Sequence, residues 1–338
     1  MSPRPRAYAV TGGVDEAGLG PVLGPLTIGF SVFRAPRSSR NLWRTLEPSV
    51  SRQTGDDERA FVVADSKQVF QRTPRCSGRL ETTALGFLAL LEPGRKPPDS
   101  MERILWGTPA ALAPPPGLAQ RLPWYERIAA RAPRFVDAGL LEIRVEWLWR
   151  RMRRRFVEML DAGVCVLPED ELNRSFGETE NKALTHWHKS AAVLRYLWER
   201  FADQGLELVV DRHGGRFYYG DLLAQTFPEA AVERVLERPQ RSDYRIAERD
   251  APEASARRMY VIFAERAESR SFPVALASCL AKYAREACME GFNAYFGDLE
   301  PALRPTAGYH GDAWRWLRDA APALERAGVD ARRLVRTR

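Results

Sequence analysis

Short apolar runs separated by glycine and proline open the chain. Tyr8–Val14 and Leu26–Phe33 have the length of strands, and residues 15–25 between them are rich in glycine and proline. Short apolar runs bounded by turn residues are typical of buried strands. The pattern therefore predicts two neighbouring strands joined by a Gly-rich connection.

Helical and strand patterns alternate later in the chain. Apolar residues recur three or four positions apart in segments such as 178–201, whereas Leu206–Val210 is a short apolar run. The predicted helices are Leu141–Leu160, Glu178–Phe201, Tyr218–Phe227, Pro273–Phe296 and most of the tail from Pro301, and the predicted later strands are Leu206–Val210, Val232–Glu237 and Arg258–Ala267. A strand pair followed by alternating strands and helices predicts an α/β fold with a mixed sheet flanked by helices.

Residues 92–126 differ in composition from the rest of the chain. Eight of these 35 residues are proline, including Pro114, Pro115 and Pro116. Proline lacks a backbone donor and interrupts both helices and sheet ladders. We expect an irregular surface insertion here, within a domain of residues 1–299 that is followed by a helical C-terminal segment, residues 300–338.

Basic residues outnumber acidic ones, and nearly all of them are arginine. The chain has 51 basic and 44 acidic residues, a formal charge of +7, and five of the basic residues are lysine. Guanidinium groups match phosphate oxygens in geometry, which favours a nucleic-acid partner. A GC-rich genome also raises arginine content, so composition alone does not choose between these explanations.

One arginine cluster stands out. Residues 147–155 contain two tryptophans followed by five arginines in six positions. Such a run could follow the phosphates of a nucleic acid or form the solvated face of a helix, and the sequence leaves both open.

The cysteines and the apolar runs bear on several other protein classes. The four cysteines contain no CxxC pair, so the pattern predicts neither a zinc site nor a disulfide framework. The first ten residues lack the apolar core of a signal peptide, and no run reaches the length of a membrane span. We expect a reduced, cytoplasmic protein with no membrane partner.

Acidic residues stand where the predicted strands end. Asp15 and Glu16 close the first strand among glycines, Asp211 follows a buried apolar run, and Glu268 follows another. Buried carboxylates are costly unless they are paired or bind a cation. Without a Cys or His cluster beside them, they favour hard divalent cations such as Mg²⁺ or Mn²⁺. Each acid taken alone also fits a helix cap or a turn, so the interpretation depends on their meeting in one site.

Several segments, in order along the chain, resemble the motifs of type 2 ribonucleases H, the ribonuclease HII and HIII family. They are residues 13–25 (GVDEAGLGPVLGP), Asp65-Ser66-Lys67, Val209-Val210-Asp211, residues 266–286 with Glu268 as the last carboxylate, and Gly308-Tyr309. The first and fourth segments are the specific ones. Ribonuclease HIII has Glu at the last carboxylate position, as here, whereas ribonuclease HII usually has Asp.

The resemblance implies a ribonuclease H-like fold and a metal-dependent endoribonuclease. Such a hydrolase cuts the RNA strand of RNA–DNA hybrids, or cuts at ribonucleotides embedded in duplex DNA, and leaves 5′-phosphate and 3′-hydroxyl ends. Asp15, Glu16, Asp211 and Glu268 would be catalytic and would hold two Mg²⁺ or Mn²⁺ ions.

The resemblance also implies a set of substrate-binding residues. They are Gly18, Leu19, Gly20, Lys67, Lys282, Arg285 and Tyr309. The basic side chains would contact phosphates, the glycine N–H groups would reach a ribose 2′-hydroxyl, and the tyrosine would stack on a sugar. Surface charge or core packing explains Lys282, Arg285 and Tyr309 equally well.

Two features depart from the family pattern. The family has a basic residue between the two glycines, where this chain has Leu19, which cannot donate a hydrogen bond. The 146 residues from Asp65 to Asp211 also exceed what a minimal enzyme of this kind needs. A nuclease with an altered nucleic-acid substrate, or a non-catalytic nucleic-acid-binding protein, therefore remains an alternative.

Three histidines lie near these motifs. His186 and His188 are two residues apart in a predicted helix, so at most one of them faces a given site, and we interpret both as structural. His213 follows the third carboxylate by two residues and could reach a substrate phosphate, but the pattern does not single it out.

Overall fold

Two antiparallel strands near the N-terminus form the centre of the fold. The computed structural model describes residues 8–53, 59–71, 73–107, 112–114, 116–128, 131–252 and 255–336. Strand β1 (Tyr8–Ala17) pairs with β2 (Leu26–Pro36) along its whole length. The Gly-rich segment between them is a connection, as the sequence predicts.

The other elements follow in chain order. The strands are β3 (Val50–Ser51), β4 (Phe61–Val62), β5 (Glu158–Leu167), β6 (Leu206–Asp211), β7 (Ala230–Arg238), β8 (Arg241–Glu248) and β9 (Arg258–Ala264). The α-helices are α1 (Leu42–Leu46), α2 (Ser66–Val69), α3 (Pro74–Ala89), α4 (Met101–Trp106), α5 (Leu118–Arg121), α6 (Ala138–Arg154), α7 (Glu169–Thr179), α8 (Lys182–Phe201), α9 (Gly220–Thr226), α10 (Phe272–Leu299), α11 (His310–Asp319), α12 (Ala321–Ala327) and α13 (Ala331–Leu334). Short 3₁₀ helices are Arg37–Ser39, Pro93–Arg95, Pro123–Arg127, Ala202–Gln204 and Ala267–Ser269.

Within the described ranges, seven strands form one mixed sheet in the order β5-β2-β1-β6-β9-β8-β7. Strands β1, β6 and β9 are parallel, and the remaining neighbours are antiparallel. Strands β3 and β4 form a separate parallel pair. This sheet, with helices on both faces, confirms the predicted α/β fold with a mixed sheet flanked by helices. The carboxyl ends of β1, β6 and β9 meet at one edge, where sites form in open α/β sheets.

Helix α10 lies unusually close to the central strands. A Cβ atom at Gly13 would lie 2.1 Å from the backbone nitrogen of Val274, and one at Gly29 would lie 2.2 Å from the carbonyl oxygen of Ala277. Glycine at both positions lets the helix backbone touch the sheet, since any side chain there would push it away. The Ser31 hydroxyl donates to the Pro273 carbonyl at 2.9 Å and fixes the start of the helix.

Helix α8 covers the opposite face of the sheet. Its residues Trp187, Leu194 and Trp198 are fully buried in one apolar cluster with Val14 of β1 and Leu208 of β6. The central strands are therefore buried on both faces, as parallel strands in α/β folds are.

Several boundaries differ from the predictions. The predicted helix Leu141–Leu160 is wrong in its last part, because the helix ends at Arg154 and the edge strand β5 begins at Glu158. The predicted helix over 178–201 is confirmed as α8 except for its start: residues 178–179 end α7, Glu180 has a left-handed φ of 48°, and the Asn181 side chain caps α8. The prediction also missed β8.

The Pro-rich segment is not simply a surface excursion. Leu122, Trp124 and Tyr125 are buried, and the Trp124 ring packs against Phe292 and Phe296 of α10. The surface prediction is wrong for this part of the segment, because its aromatic residues complete the core around α10. Residues 108–111 and 115 lie outside the described ranges.

The C-terminal tail is helical, as predicted. Trp316 of α11 is fully buried against Phe292 and Phe296 of α10. The domain boundary at residue 299 coincides with the end of α10 and stays a prediction. None of the helices in the described ranges combines the length and apolar character needed to cross a bilayer.

Candidate functional site

Carboxylates from two adjacent parallel strands meet at the carboxyl edge of the sheet. Asp15 and Glu16 lie near the end of β1, and Asp211 is the last residue of β6. The register pairs Val14 with Val210, which brings the following residues to the same level. Asp15, Glu16 and Asp211 each offer an oxygen atom within 4.8 Å of the others. The site is thus a direct product of strand pairing.

Backbone and hydroxyl donors orient these acids. The Glu16 N–H donates to Asp15 Oδ1 at 2.8 Å, and the Ala267 N–H donates to Asp211 Oδ1 at 3.0 Å. Ser278 on α10 hydrogen-bonds the Asp15 side chain. Each bond fixes the rotation of a carboxylate that has further oxygen lone pairs to offer a cation.

Glu268 stands beside this group but outside it. It lies in the 3₁₀ turn Ala267–Ser269, a few residues beyond the end of β9, and lines the same cleft. Its carboxyl group lies close enough to that of Asp211 to raise the pKa of Asp211 by repulsion. The structure therefore brings three of the four predicted acids to one point, and the role of Glu268 as a fourth ligand stays a prediction.

Burial and mutual repulsion raise the pKa values of the three carboxyl groups. Burial, followed by repulsion from Glu16 and Asp211, raises the pKa of Asp15 well above its usual value. Burial and Asp211 raise the pKa of Glu16 to about 8. Burial and Glu268 raise the pKa of Asp211 to about 6, against a lowering by the Ala267 N–H. The fold thus concentrates negative charge that lacks full compensation from the protein.

The cleft around these acids has a volume of about 260 Å³. Its lining residues are Asp15, Glu16, Asp65, Ser66, Lys67, Asp211, Arg212, Gly214, Glu265, Arg266, Glu268 and Ser278. The three acids that lie closest together offer only carboxylate oxygens as ligands, with no cysteine or histidine in the cluster. Such ligands suit a hard divalent cation. We conclude that the residues present fit a divalent metal ion.

The Asp-Ser-Lys segment reaches this cleft. Asp65 caps α2 by accepting the Lys67 N–H at 2.9 Å, and the Ser66 hydroxyl lies 3.0 Å from the Ser278 hydroxyl. Lys67 attracts the carboxylates, and its charge lowers the pKa values of Glu16 and Asp211. A motif that is weak in the sequence thus places the positive charge of Lys67 in the same cleft as the acids.

Arg285 has a different role from the predicted phosphate contact. Its side chain is buried, and its guanidinium donates to the carbonyls of Pro25 at 3.3 Å, Leu23 at 3.3 Å and Ala307 at 3.2 Å. A buried group that is committed to three carbonyls cannot reach a phosphate in solvent. Arg285 therefore holds the Gly-rich loop in place, and its burial argues against the predicted phosphate contact, which stays untested.

Lys282 lies one helical turn before Arg285. Its ammonium group donates to Glu286 at 2.5 Å and lies 4.9 Å from the centre of the Phe70 ring. It does not line the cleft within the described residues, and its predicted phosphate contact is untested.

The Gly-rich loop is held from two sides. Gly18 has a φ of +94°, which favours glycine, and a Cβ there would also meet the Pro25 carbonyl oxygen at 2.6 Å. The guanidinium of Arg336, near the C-terminus, donates to the Gly18 carbonyl. Sequence reasoning missed Arg336, because its distance of more than 300 residues from the loop leaves no local signal.

The predicted Gly-Tyr motif also contacts this loop. The Val22 N–H donates to the Gly308 carbonyl at 2.7 Å. Tyr309 is half exposed at the start of α11. The structure thus places Tyr309 on a segment bonded to the Gly-rich loop, and its stacking on a sugar stays a prediction.

Two histidines lie closer to the site than expected. The His186 Nε2 atom lies 4.0 Å from Glu16 Oε2, and the His186 and His213 ring centres are 4.1 Å apart. His186 comes from α8 and His213 from the loop after β6, so only the packing of α8 on the sheet brings them together. The structural interpretation of His186 omitted this contact with the acids.

The arginine cluster 147–155 lies at the other end of the sheet. Trp149 and Arg153 line a cavity together with Tyr8, at the start of β1, whereas Asp15 lies near its end. Seven residues along a strand span about 23 Å. The Trp149 ring contacts the guanidinium groups of Arg95 and Arg153. These intramolecular contacts favour the solvated helix face over a role at the cleft.

Comparisons with known proteins give matches among solved structures alone. No protein-family model and no curated protein matches the chain. The PCNA–RNase HII complex from Archaeoglobus fulgidus matches at 14% identity over 97% of this chain and 94% of that chain, with a TM-score of 0.44. Ribonuclease H2 from Pyrococcus horikoshii OT3 matches at 17% identity over 97% and 92%, with a TM-score of 0.39.

A third similar structure is Bst-RNase HIII in complex with Mn²⁺, at 15% identity over 97% of this chain and 66% of that chain, with a TM-score of 0.40. These matches are all type 2 ribonucleases H, the family that the sequence motifs resemble. The strand order of the sheet defines the fold of this chain, and the geometry of the carboxylates defines its site.

Replacing Arg285 tests its structural role. We expect Arg285→Met to lower the free energy of unfolding by about 2–4 kcal/mol, because three buried carbonyls lose their donor. Urea unfolding measures the change, and Arg318→Met on the exposed face of α11 is the control. Unchanged stability combined with weaker nucleic-acid binding would instead support the phosphate contact.

The acidic cluster predicts how stability varies with pH when divalent cations are removed. The pKa values of these carboxyl groups are raised in the folded state. Their contribution to the free energy of unfolding is therefore most favourable below about pH 4, and it is lost as the pH rises through 6 and 8. Asp211→Asn keeps an oxygen for the Ala267 N–H but removes one charge. We therefore expect the free energy of unfolding of this variant to exceed that of the wild type by up to about 3 kcal/mol at pH 8.

Thermal unfolding in EDTA from pH 5 to 9 measures this difference between the two proteins. The advantage of Asp211→Asn should shrink at acidic pH, where the wild-type carboxyl group is protonated. An advantage that is absent at pH 8, or that does not vary with pH, would contradict the repulsion.

Proposed function

We propose that this protein is a divalent-metal-dependent nuclease of the type 2 ribonuclease H kind. It hydrolyses the RNA strand of RNA–DNA hybrids, or cuts at ribonucleotides within duplex DNA. The meeting of Asp15, Glu16 and Asp211 at the ends of adjacent parallel strands carries this proposal. The strand order of the sheet and the motif resemblance support it.

The acids would supply the ligands of the metal ions. Asp15, Glu16 and Asp211 would hold Mg²⁺ or Mn²⁺, and Glu268 would join them from the rim of the cleft. When bound, such cations lower the pKa of an attacking water and offset charge on the phosphate. Ser278 and the Ala267 N–H keep the carboxylates oriented, so little reorganisation accompanies the reaction.

Other residues of the cleft position the substrate. Lys67 attracts the scissile phosphate toward the acids, which would otherwise repel it. The exposed backbone around Gly20 has open space in front of it, so a sugar–phosphate chain can approach closely. Hydrolysis at this point would leave a 3′-hydroxyl on one fragment and a 5′-phosphate on the other.

Leu19 bears on which substrate is preferred. Its side chain is half buried and packs against the apolar cluster under α8, so it supplies no donor for a ribonucleotide junction. We therefore expect cleavage of continuous RNA–DNA hybrids at least as fast as cleavage at a single embedded ribonucleotide. Mg²⁺ and Mn²⁺ are compared in the same assay.

Removing one carboxylate charge tests the proposal. We expect Asp15→Asn and Asp211→Asn each to reduce cleavage of a labelled hybrid at least about 100-fold, because they remove metal ligands. Binding of the hybrid in EDTA should be equal or tighter, since negative charge is lost. Glu265→Gln, which lines the same cleft outside the three-acid group, is the matched control.

Three outcomes separate the alternatives. Full activity in both Asn variants would remove the metal-site mechanism. Cleavage of another structured nucleic acid, but of neither hybrid nor embedded ribonucleotide, would indicate an altered substrate. Tight binding of hybrids without cleavage in Mg²⁺ or Mn²⁺ would indicate a non-catalytic binding protein.

A further inference from the structure

A second cavity adjoins the carboxylate cleft. It has a volume of about 670 Å³, within the range that accommodates small organic ligands. We call it the aromatic pocket; its lining includes Leu19, His186, His213, Arg216, Phe217 and Tyr218. The proposed metal chemistry uses none of these side chains.

The aromatic pocket is continuous with the cleft. Gly214 lines both cavities, and the His186 Nε2 atom on the pocket side lies 4.0 Å from Glu16 Oε2 in the cleft. A ligand part in the pocket would therefore lie next to whatever the three acids hold. This proximity points to a substrate subsite rather than to an independent ligand.

The aromatic residues of the pocket are accessible. Tyr218 is 62% exposed although it lies in a concave surface, and its ring centre lies 4.3 Å from that of Phe217. Gly214 and Gly215 in the same loop have open space where a Cβ would lie. An exposed tyrosine over an open glycine backbone is suited to stacking against a flat ring.

Two residues that line the pocket carry buried polar atoms without a partner among the described residues. His213 is 6% exposed, and its Nδ1 atom has no hydrogen-bond partner in the described part of the chain. The same holds, among the described residues, for the Nε atom of Arg216. Buried polar atoms usually have partners, so a ligand with ring nitrogens and carbonyl oxygens would satisfy them.

The backbone of the loop that carries His213 is held by hydrogen bonds. The His213 backbone N–H donates to the Tyr219 hydroxyl at 3.1 Å, and that hydroxyl donates to the Arg216 carbonyl at 3.1 Å. Tyr219 itself stacks on Phe263 of β9 with ring centres 3.7 Å apart. The loop after β6 is thus preorganised on the sheet, as a specific binding site requires.

We propose that the aromatic pocket binds an unstacked nucleobase of the substrate strand, next to the phosphate that is cut. The base stacks on Tyr218, and its polar edge meets His213 and Arg216. This inference rests on the proposed nuclease function, because it takes the occupant of the cleft to be a phosphodiester. It adds that the enzyme favours sites where the neighbouring base leaves the helix easily.

Equilibrium binding in EDTA tests the pocket without relying on cleavage. Fluorescence anisotropy is measured with a DNA duplex that contains one embedded ribonucleotide. It is also measured with matched duplexes in which one nucleotide next to the ribonucleotide is replaced by an abasic residue. We expect Tyr218→Ala to weaken binding of the complete duplex about 5- to 150-fold, since base–aromatic stacking is lost. Tyr218→Phe should bind within about 2-fold of the wild type.

The pairing of variant and substrate identifies the contact. At one abasic position the wild type should lose as much affinity as Tyr218→Ala does, and the variant should lose little more, since both changes remove one contact. Phe156→Ala, an exposed aromatic beside the distant cavity, is the control and should bind normally. Independent losses at every position, or no effect of Tyr218→Ala, would overturn the pocket.

Cleavage assays on the same proteins separate this proposal from the nuclease function. If the wild type cuts hybrids but shows no coupling between Tyr218 and any base, the pocket fails and the nuclease stands. If coupling is present but no substrate is cut with Mg²⁺ or Mn²⁺, the base-binding pocket is supported in a protein that binds without cutting, and the proposed nuclease function is wrong.

Discussion

Repulsion among three carboxylates, one buried and two partly buried, is the constraint on which the site depends. Asp15, Glu16 and Asp211 lie within 4.8 Å of one another because the parallel register of β1 and β6 pairs Val14 with Val210. A one-residue slip would move each side chain of a strand to the opposite face of the sheet and disrupt its packing against α8 and α10. The hydrophobic sheet thus holds together carboxylates that would otherwise move apart, and a bound cation would reduce the repulsion among them.

The layers around the sheet serve the same arrangement. Helix α10 touches the strands at Gly13 and Gly29, and from this position it presents Ser278 to Asp15 and Arg285 to the Gly-rich loop. Arg336 reaches the same loop from the C-terminal tail. One long helix therefore couples the core, the acids and the segment that approaches the substrate.

Local patterns predicted the parts of this structure that local chemistry decides. Apolar runs ending in acids gave the central strands and Asp15, Glu16 and Asp211, because strand ends carry their polar residues with them. The edge strand β5 was missed since the arginine-rich helix before it masks the change of period. The role of Arg285 and the proximity of His186 to Glu16 depend on contacts between distant segments, which one sequence does not display.

The position of a bound metal ion tests the central claim most directly. Crystals grown without divalent cations and then soaked in Mn²⁺ can be measured at a wavelength where manganese scatters anomalously. The account predicts a manganese peak bounded by oxygens of Asp15, Glu16 and Asp211, and its loss in Asp211→Asn. Manganese bound only elsewhere, at a concentration that supports cleavage, would contradict it.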